Sequence, residues 1–183
     1  VFEIVIQLGA ILSVVWIYRD LLWRTVLGLT RDPAAQGLTR NVIVAFIPAV
    51  VIGVIAHDVI KNVLMTPVVV CISLIVGGIA IIVIERVHGA AQVPRADEIP
   101  TGKAFVIGLA QCIAMIPGVS RSGATIMGGL LLRVDRQTAT DFSFFLAIPT
   151  MFGATVYDLY KNRHGIDAAG AEIIAVGFIV SFI

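Results

Sequence analysis

The sequence predicts an all-α integral membrane protein: a polytopic helical bundle with a re-entrant helix–loop–helix, comprising half of an inverted-repeat fold and part of the other half. Three observations carry that prediction. Hydrophobic residues make up 58% of the chain and charged residues only 14%, against about 25% charged in soluble domains. Five apolar stretches approach the ~20 helical residues that cross a bilayer. A sixth, Ala104–Leu132, is broken in its middle by Pro117-Gly118 and carries a single charge, Arg121.

The five stretches run Phe2–Trp23, Val42–Ile60, Val68–Ile84, Phe142–Tyr160 and Ala171–Ile183. Trp16, Tyr18 and Trp23 close the first, and Tyr157 and Tyr160 the fourth, where amphipathic rings suit a membrane–water interface. Lys and Arg number four over Arg19–Arg40, one over Asp58–Pro67 and three over Glu85–Lys103, an alternation that puts the first and third connections in the cytoplasm. Asp141 is expected to cap a helix starting at Phe142. Gly77-Gly78 and Gly128-Gly129 are expected to let helices pack closely, and Cys71 and Cys112 to be small buried hydrophobes.

The chain reads as one membrane domain, 1–183. A polar linker, Asp97–Gly102, separates the end of a first repeat (1–96) from a second repeat (103–183) whose re-entrant segment is 104–132. The octapeptides Phe2–Gly9 and Phe142–Pro149 open long helices at equivalent places in this scheme. Because the sequence starts without Met inside one apolar pattern and stops inside another, it is expected to be an internal piece of a longer chain. Net charge is near neutral and no basic block is present, which argues against nucleic acid as a partner.

Ala104–Leu132 is too long for one straight span: 29 residues would make a rod of about 43 Å against a ~30 Å core. Its arms, of 13 and 11 residues, reach only ~17–20 Å and do not cross alone. A hairpin that dips into the membrane and returns satisfies both lengths, with a broken, tilted spanning helix as the alternative. Irregular backbone at that depth is tolerated only inside protein or along a wet cavity.

The tip of this hairpin carries the chemistry. Pro117 ends one arm, and Gly118 and Gly123 permit turns and close approaches that a side chain would block. Ser120 or Ser122 is placed to cap the second arm, with Thr125 on its first turn. A helix N-terminus attracts anions, and the planar fork of Arg121 grips two oxygens of a phosphate. An arginine at mid-membrane costs about 2.5–3.5 kcal/mol on insertion scales, so a ligand or structural partner is expected. No Cys/His cluster has metal-ligand spacing, and His57, His88 and His164 lie far apart.

Pro117-Gly118-Val119-Ser120-Arg121-Ser122-Gly123-Ala124-Thr125 resembles the Pro-Gly-x-Ser-Arg-Ser-x-x-Thr signature of the bacterial undecaprenyl-diphosphate phosphatases of the bacitracin-resistance type. Phe2–Leu12, Ile47–Gly53, Gln111-Cys112, Phe142–Pro149 and Gly153–Tyr160 are also similar to family segments, so the resemblance covers nearly the whole chain. It implies hydrolysis of undecaprenyl diphosphate to the monophosphate carrier and inorganic phosphate in the bacterial cytoplasmic membrane. It also implies an inverted-repeat fold with two re-entrant hairpins, a site on the outer side and a divalent cation (Mg or Ca). By position, Arg121 would clamp the diphosphate, and Ser120 and Thr125 would bind it or assist attack, Ser120 being the candidate nucleophile. Gly118, Ser122, Gly123, Gln111 and Glu3 complete the candidate substrate-binding set. The family's other signature, rich in glutamate with a serine pair and a histidine, is expected upstream of Val1 with the base and metal carboxylates, leaving this piece inactive alone. The expected partners are a polyprenyl diphosphate lipid and the bilayer, with a homodimer left open. The competing reading is a flippase that uses the same cationic loop to carry a polyprenyl phosphate lipid.

Overall fold

A computed structural model of the chain describes residues 2–162 and 168–183, with the side chains of 6–56, 60, 63–157, 160 and 174–183. The described residues form eight α-helices: α1 Phe2–Ile17, α2 Arg19–Gly28, α3 Pro33–Val59, α4 Pro67–Val87, α5 Thr101–Ile113, α6 Arg121–Leu131, α7 Arg136–Asn162 and α8 Ala168–Phe182. A π-helical turn, Ile60–Leu64, continues α3, and a 3₁₀ turn, Ala96–Glu98, precedes α5. The only β-type pairing described is an isolated bridge between Val93 and Val134. Helices α3, α4 and α7 are long and apolar enough to cross a membrane.

The backbone divides into two compact units. Residues 1–27 and 147–183 form one, in which α1 packs on α8. Ile11, Ala147 and Met151 are its buried core, with Leu8, Val14 and Ile148 packed around them. Gly9 lets α1 approach the Phe178 carbonyl and Ser181 so closely that a Cβ would collide with both.

The first expected span is not one helix. It bends by 74° between α1 and α2, because Arg19 and Asp20 meet the apolar run at that point. The Arg19 guanidinium folds back to donate to the Trp16 carbonyl (2.9 Å) and lies 5.0 Å from the centre of the Trp16 ring. Helix α2 buries no residue, and Leu21, Trp23, Val26 and Leu27 are all exposed. An interfacial helix needs such an uncovered apolar surface.

Residues 28–146 form the second unit. Local rules set its helix starts. Asp32 accepts from the Ala34 amide before α3 (3.0 Å) and Thr66 from the Val69 amide before α4 (3.3 Å), with prolines 33 and 67 at first positions, where a missing N–H costs nothing. Asp135 accepts from the amides of Gln137 and Thr138, so α7 starts at Arg136 rather than Phe142. Asp141 is therefore a mid-helix residue, accepting from Gln137 Nε2 (3.0 Å).

Two stripes at helical spacing hold α3 to α5: Asn41, Ala45 and Ala49 on one side, Ala104, Ile107, Gly108 and Gln111 on the other, all buried. Gly108 sits directly on the Ala45 carbonyl, and a Cβ there would collide with it. Below this seam Asn41 Nδ2 donates to the carbonyls of Ile99 (2.7 Å) and Ala96 (3.2 Å), latching the connection before α5 onto α3. Gly128 and Gly129 bring α6 onto Ala110 and Ala139, where a Cβ would meet carbons at 2.8 and 2.9 Å. Gly77 and Gly78 do not pack this way: nothing lies within 4 Å of a Cβ at either. Cys71 is exposed on α4 rather than buried, while Cys112 is half-buried; both are free thiols.

Candidate active site

Helices α5 and α6 form the predicted hairpin. Both ends are on one side, because Lys103 Nζ at the start of α5 donates to the Leu132 carbonyl at the end of α6 (2.7 Å). At 13 and 11 residues the arms are ~20 and ~17 Å long, too short to span. Helix α4 gives a scale for its depth. Glu85, near one end of α4, pairs with Arg136 at the base of the hairpin (2.7 Å). Gly123 faces Ile81, and Gly118 at the tip abuts Val70 and Ser73, within a turn or two of the opposite end. From the level of Glu85 to that of Val70 is 15 residues of helix, about 22 Å, so the hairpin follows α4 for a length greater than half of a ~30 Å core.

The tip is built from short backbone turns. Successive i→i−3 bonds from Ala114, Met115 and Ile116 unwind α5, and Val119 bonds back to the Ile116 carbonyl. Gly118 has φ +92°, and a Cβ there would stand 2.6 Å from the Val70 carbonyl oxygen. Both the left-handed backbone and the approach to α4 require glycine. On the same face of α4, between Ser73 and Ile81, Gly77 looks into open space, leaving room beside the turn.

Helix α6 then starts at the motif. Ser120 is its N-cap, with Oγ accepting from the Gly123 amide (3.1 Å) and lying 3.3 Å from Ser122 Oγ. Ser120 is exposed, while Arg121, Ser122 and Gly123 are half-buried. Two hydroxyls, the amide end of a helix and one guanidinium therefore share a single turn, an arrangement suited to an oxyanion. Ser120 has no described carboxylate or imidazole as a hydrogen-bond partner; its partners are Gly123 and Ser122. A serine nucleophile needs such a base.

Thr125 is placed differently from its neighbours. It is 2% exposed, and its Oγ1 lies 3.0 Å from the carbonyls of Arg121 and Ser122 and 2.6 Å from Ser143 Oγ. Gln111 is buried in the α3–α5 seam, at the end of α5 nearest the turn. The side chain of Glu3 lies outside the described residues, as do those of His57 and His164. Among the described residues no three His, Cys, Asp or Glu side chains come together as a cation site, so these residues do not by themselves fit a metal.

Sequence reasoning missed two participants. Ser143 is one, although a lone hydroxyl between Phe142 and Phe144 was its signal. The other is the face of α4 that receives Gly118, which apolar composition does not mark.

Fold and turn together define a polytopic helical membrane protein with a short helical hairpin whose tip is a serine-capped turn. The chain belongs to the family described as bacitracin resistance protein BacA, which it matches over residues 1–183. It is 55% identical over 183 residues to an undecaprenyl-diphosphatase of Rhizorhabdus wittichii, covering 100% of this chain and 69% of that one. Similar proteins of the same name occur in Paracoccus denitrificans (49% identical over 183 residues, 100% of this chain and 68% of that one) and Sphingopyxis alaskensis (50% over 183 residues, 100% and 69%).

Proposed function

We propose that the turn at the start of α6 is the phosphate-binding part of an undecaprenyl-diphosphatase. The protein is a multi-pass hydrolase of the bacterial membrane that converts undecaprenyl diphosphate to undecaprenyl phosphate and inorganic phosphate. Water adds across the P–O–P bridge: its oxygen ends on the released phosphate, and the bridging oxygen stays with the lipid phosphate. The observation that carries the reading is the Ser120–Gly123 cap beside Arg121 at the tip of a hairpin too short to span.

In this reading Arg121 clamps diphosphate oxygens, offsetting charge that builds as the bridge breaks. Ser120 and Ser122 hydroxyls and the α6 amide end orient the terminal phosphate. The isoprenoid tail stays in lipid, beside the apolar helices. The base, and carboxylates for a divalent cation, belong to residues other than the described set. A homodimer is part of the same proposal, tested by the mass of the detergent-solubilised full-length protein.

The test is phosphate release from undecaprenyl diphosphate by the full-length protein in detergent or nanodiscs, with and without a chelator. Turnover that disappears in chelator and in Arg121→Ala supports the proposal. Lipid transfer between leaflets without phosphate release would instead support the flippase reading.

A further inference from the structure

The Thr125–Ser143 pair carries a consequence for that site, and rests on the phosphatase reading. Both residues are buried, at 2% and 5% exposure. Three oxygens surround Thr125 Oγ1: the Arg121 and Ser122 carbonyls at 3.0 Å and Ser143 Oγ at 2.6 Å. Carbonyls only accept, and Ser143 Oγ has no other described partner, so both hydroxyl protons find acceptors only when Thr125 donates to the first-turn carbonyls. The short bond to Ser143 must then be made by the Ser143 proton. The order that satisfies both protons runs from Ser143 to Thr125, and from Thr125 to the backbone beneath Arg121 and Ser122.

We infer that Ser143 is a positioning residue for hydrolysis, holding the phosphate-gripping turn of α6 against α7 through Thr125. The anchor is rigid where it starts, since Phe142 and Leu146 on either side of Ser143 along α7 are fully buried. Burial keeps Ser143 from the substrate, and Thr125, with its proton committed, acts through the peptide groups of Arg121 and Ser122 rather than on the phosphate. Hydroxyls shared between buried neighbours fix direction as well as distance. Catalysis tolerates little error in that direction, because a displacement of about 1 Å at reacting groups costs on the order of 100-fold in rate.

The experiment uses the full-length protein in nanodiscs and four variants: Ser143→Ala, Ser143→Thr, Thr125→Val and the Ser143→Ala/Thr125→Val double. Ser143→Ala is expected to lower kcat about 10- to 100-fold with KM and melting temperature nearly unchanged. Ser143→Thr, which keeps the donor, restores most of the turnover. The double variant is no slower than Thr125→Val alone, because both changes cut one chain. Amide exchange over residues 121–124 rises in Ser143→Ala while the rest of α6 stays protected. Full turnover in Ser143→Ala, or losses that multiply in the double variant, overturns the inference. Unchanged exchange at 121–124 overturns it even if the wild type releases no phosphate, an outcome that sinks the phosphatase reading separately. Should Ser143→Ala fail to fold, Ser143→Cys supplies the same comparisons, and full turnover there also overturns it.

Discussion

In the proposed site at the start of α6, the Arg121 fork and the Ser120 cap divide the work of holding an anion. Arg121→Lys is expected to lose at least tenfold in turnover and Arg121→Ala on the order of 100-fold or more, because an ammonium cannot reproduce two parallel N–H bonds; steady-state phosphate release reads both. Ser120→Ala removes the acceptor for the Gly123 amide, a cap worth about 1 kcal/mol, and should lower both melting temperature and rate. At the other end of the helix Arg133 takes φ +61°. Its amide bonds the Leu130 carbonyl and that of Val134 the Gly129 carbonyl, the Schellman pattern in which glycine is usual. Arg133→Gly is therefore expected to stabilise the protein by about 0.5–1 kcal/mol, seen as a higher thermal midpoint in detergent. Asn41, buried and donating to two carbonyls across the α3–α5 connection, should cost about 1–3 kcal/mol when replaced by Leu, which leaves those carbonyls bare.

Among the elements, the α5–α6 hairpin depends most on glycine. Gly118→Ala places a Cβ against the Val70 carbonyl in a left-handed conformation; turnover is expected to collapse while α3 and α7, assayed by limited proteolysis, stay protected. The hairpin was legible in the sequence because arm length and a Pro-Gly break are local facts. So was a serine cap after the Pro-Gly break, although the sequence left Ser120 and Ser122 as alternatives and the structure selects Ser120. The bend at Tyr18 was hidden, because the apolar run continues past Arg19 and Asp20 into Leu21, Leu22 and Trp23. The α7 start was misplaced at Phe142 because Arg136–Asp141 is polar, although Asp135 caps it and six polar-rich residues wind into the helix. Gly77-Gly78 looked like a packing pair, yet a glycine pair does not disclose whether it meets a helix or a space. Only the placement of neighbouring α4 residues around Gly118 and Gly123 separates the two.

For the whole molecule, the depth of the tip matters more than its composition. A site that opens on the outer side requires a hairpin entering from the cytoplasm to pass the bilayer centre, and the ~22 Å between the Glu85 and Val70 levels of α4 provides that reach. In a variant freed of Cys71 and Cys112, a cysteine at Ser120 should react with a charged maleimide added outside, whereas one at Arg95 should react only from within; labelling of both from one side would contradict the arrangement. The Lys103–Leu132 bond has a further consequence, for biogenesis. An arm of 13 residues has no independent stopping place in the bilayer, so insertion machinery that releases spans one at a time cannot deliver α5 by itself. Both arms have to enter as a pair, clasped at their open end by Lys103, and only after α3 and α4 have provided a protein wall to receive them. The turn at the start of α6 thus takes its place only once α3 and α4 stand, whatever the order in which its residues are made.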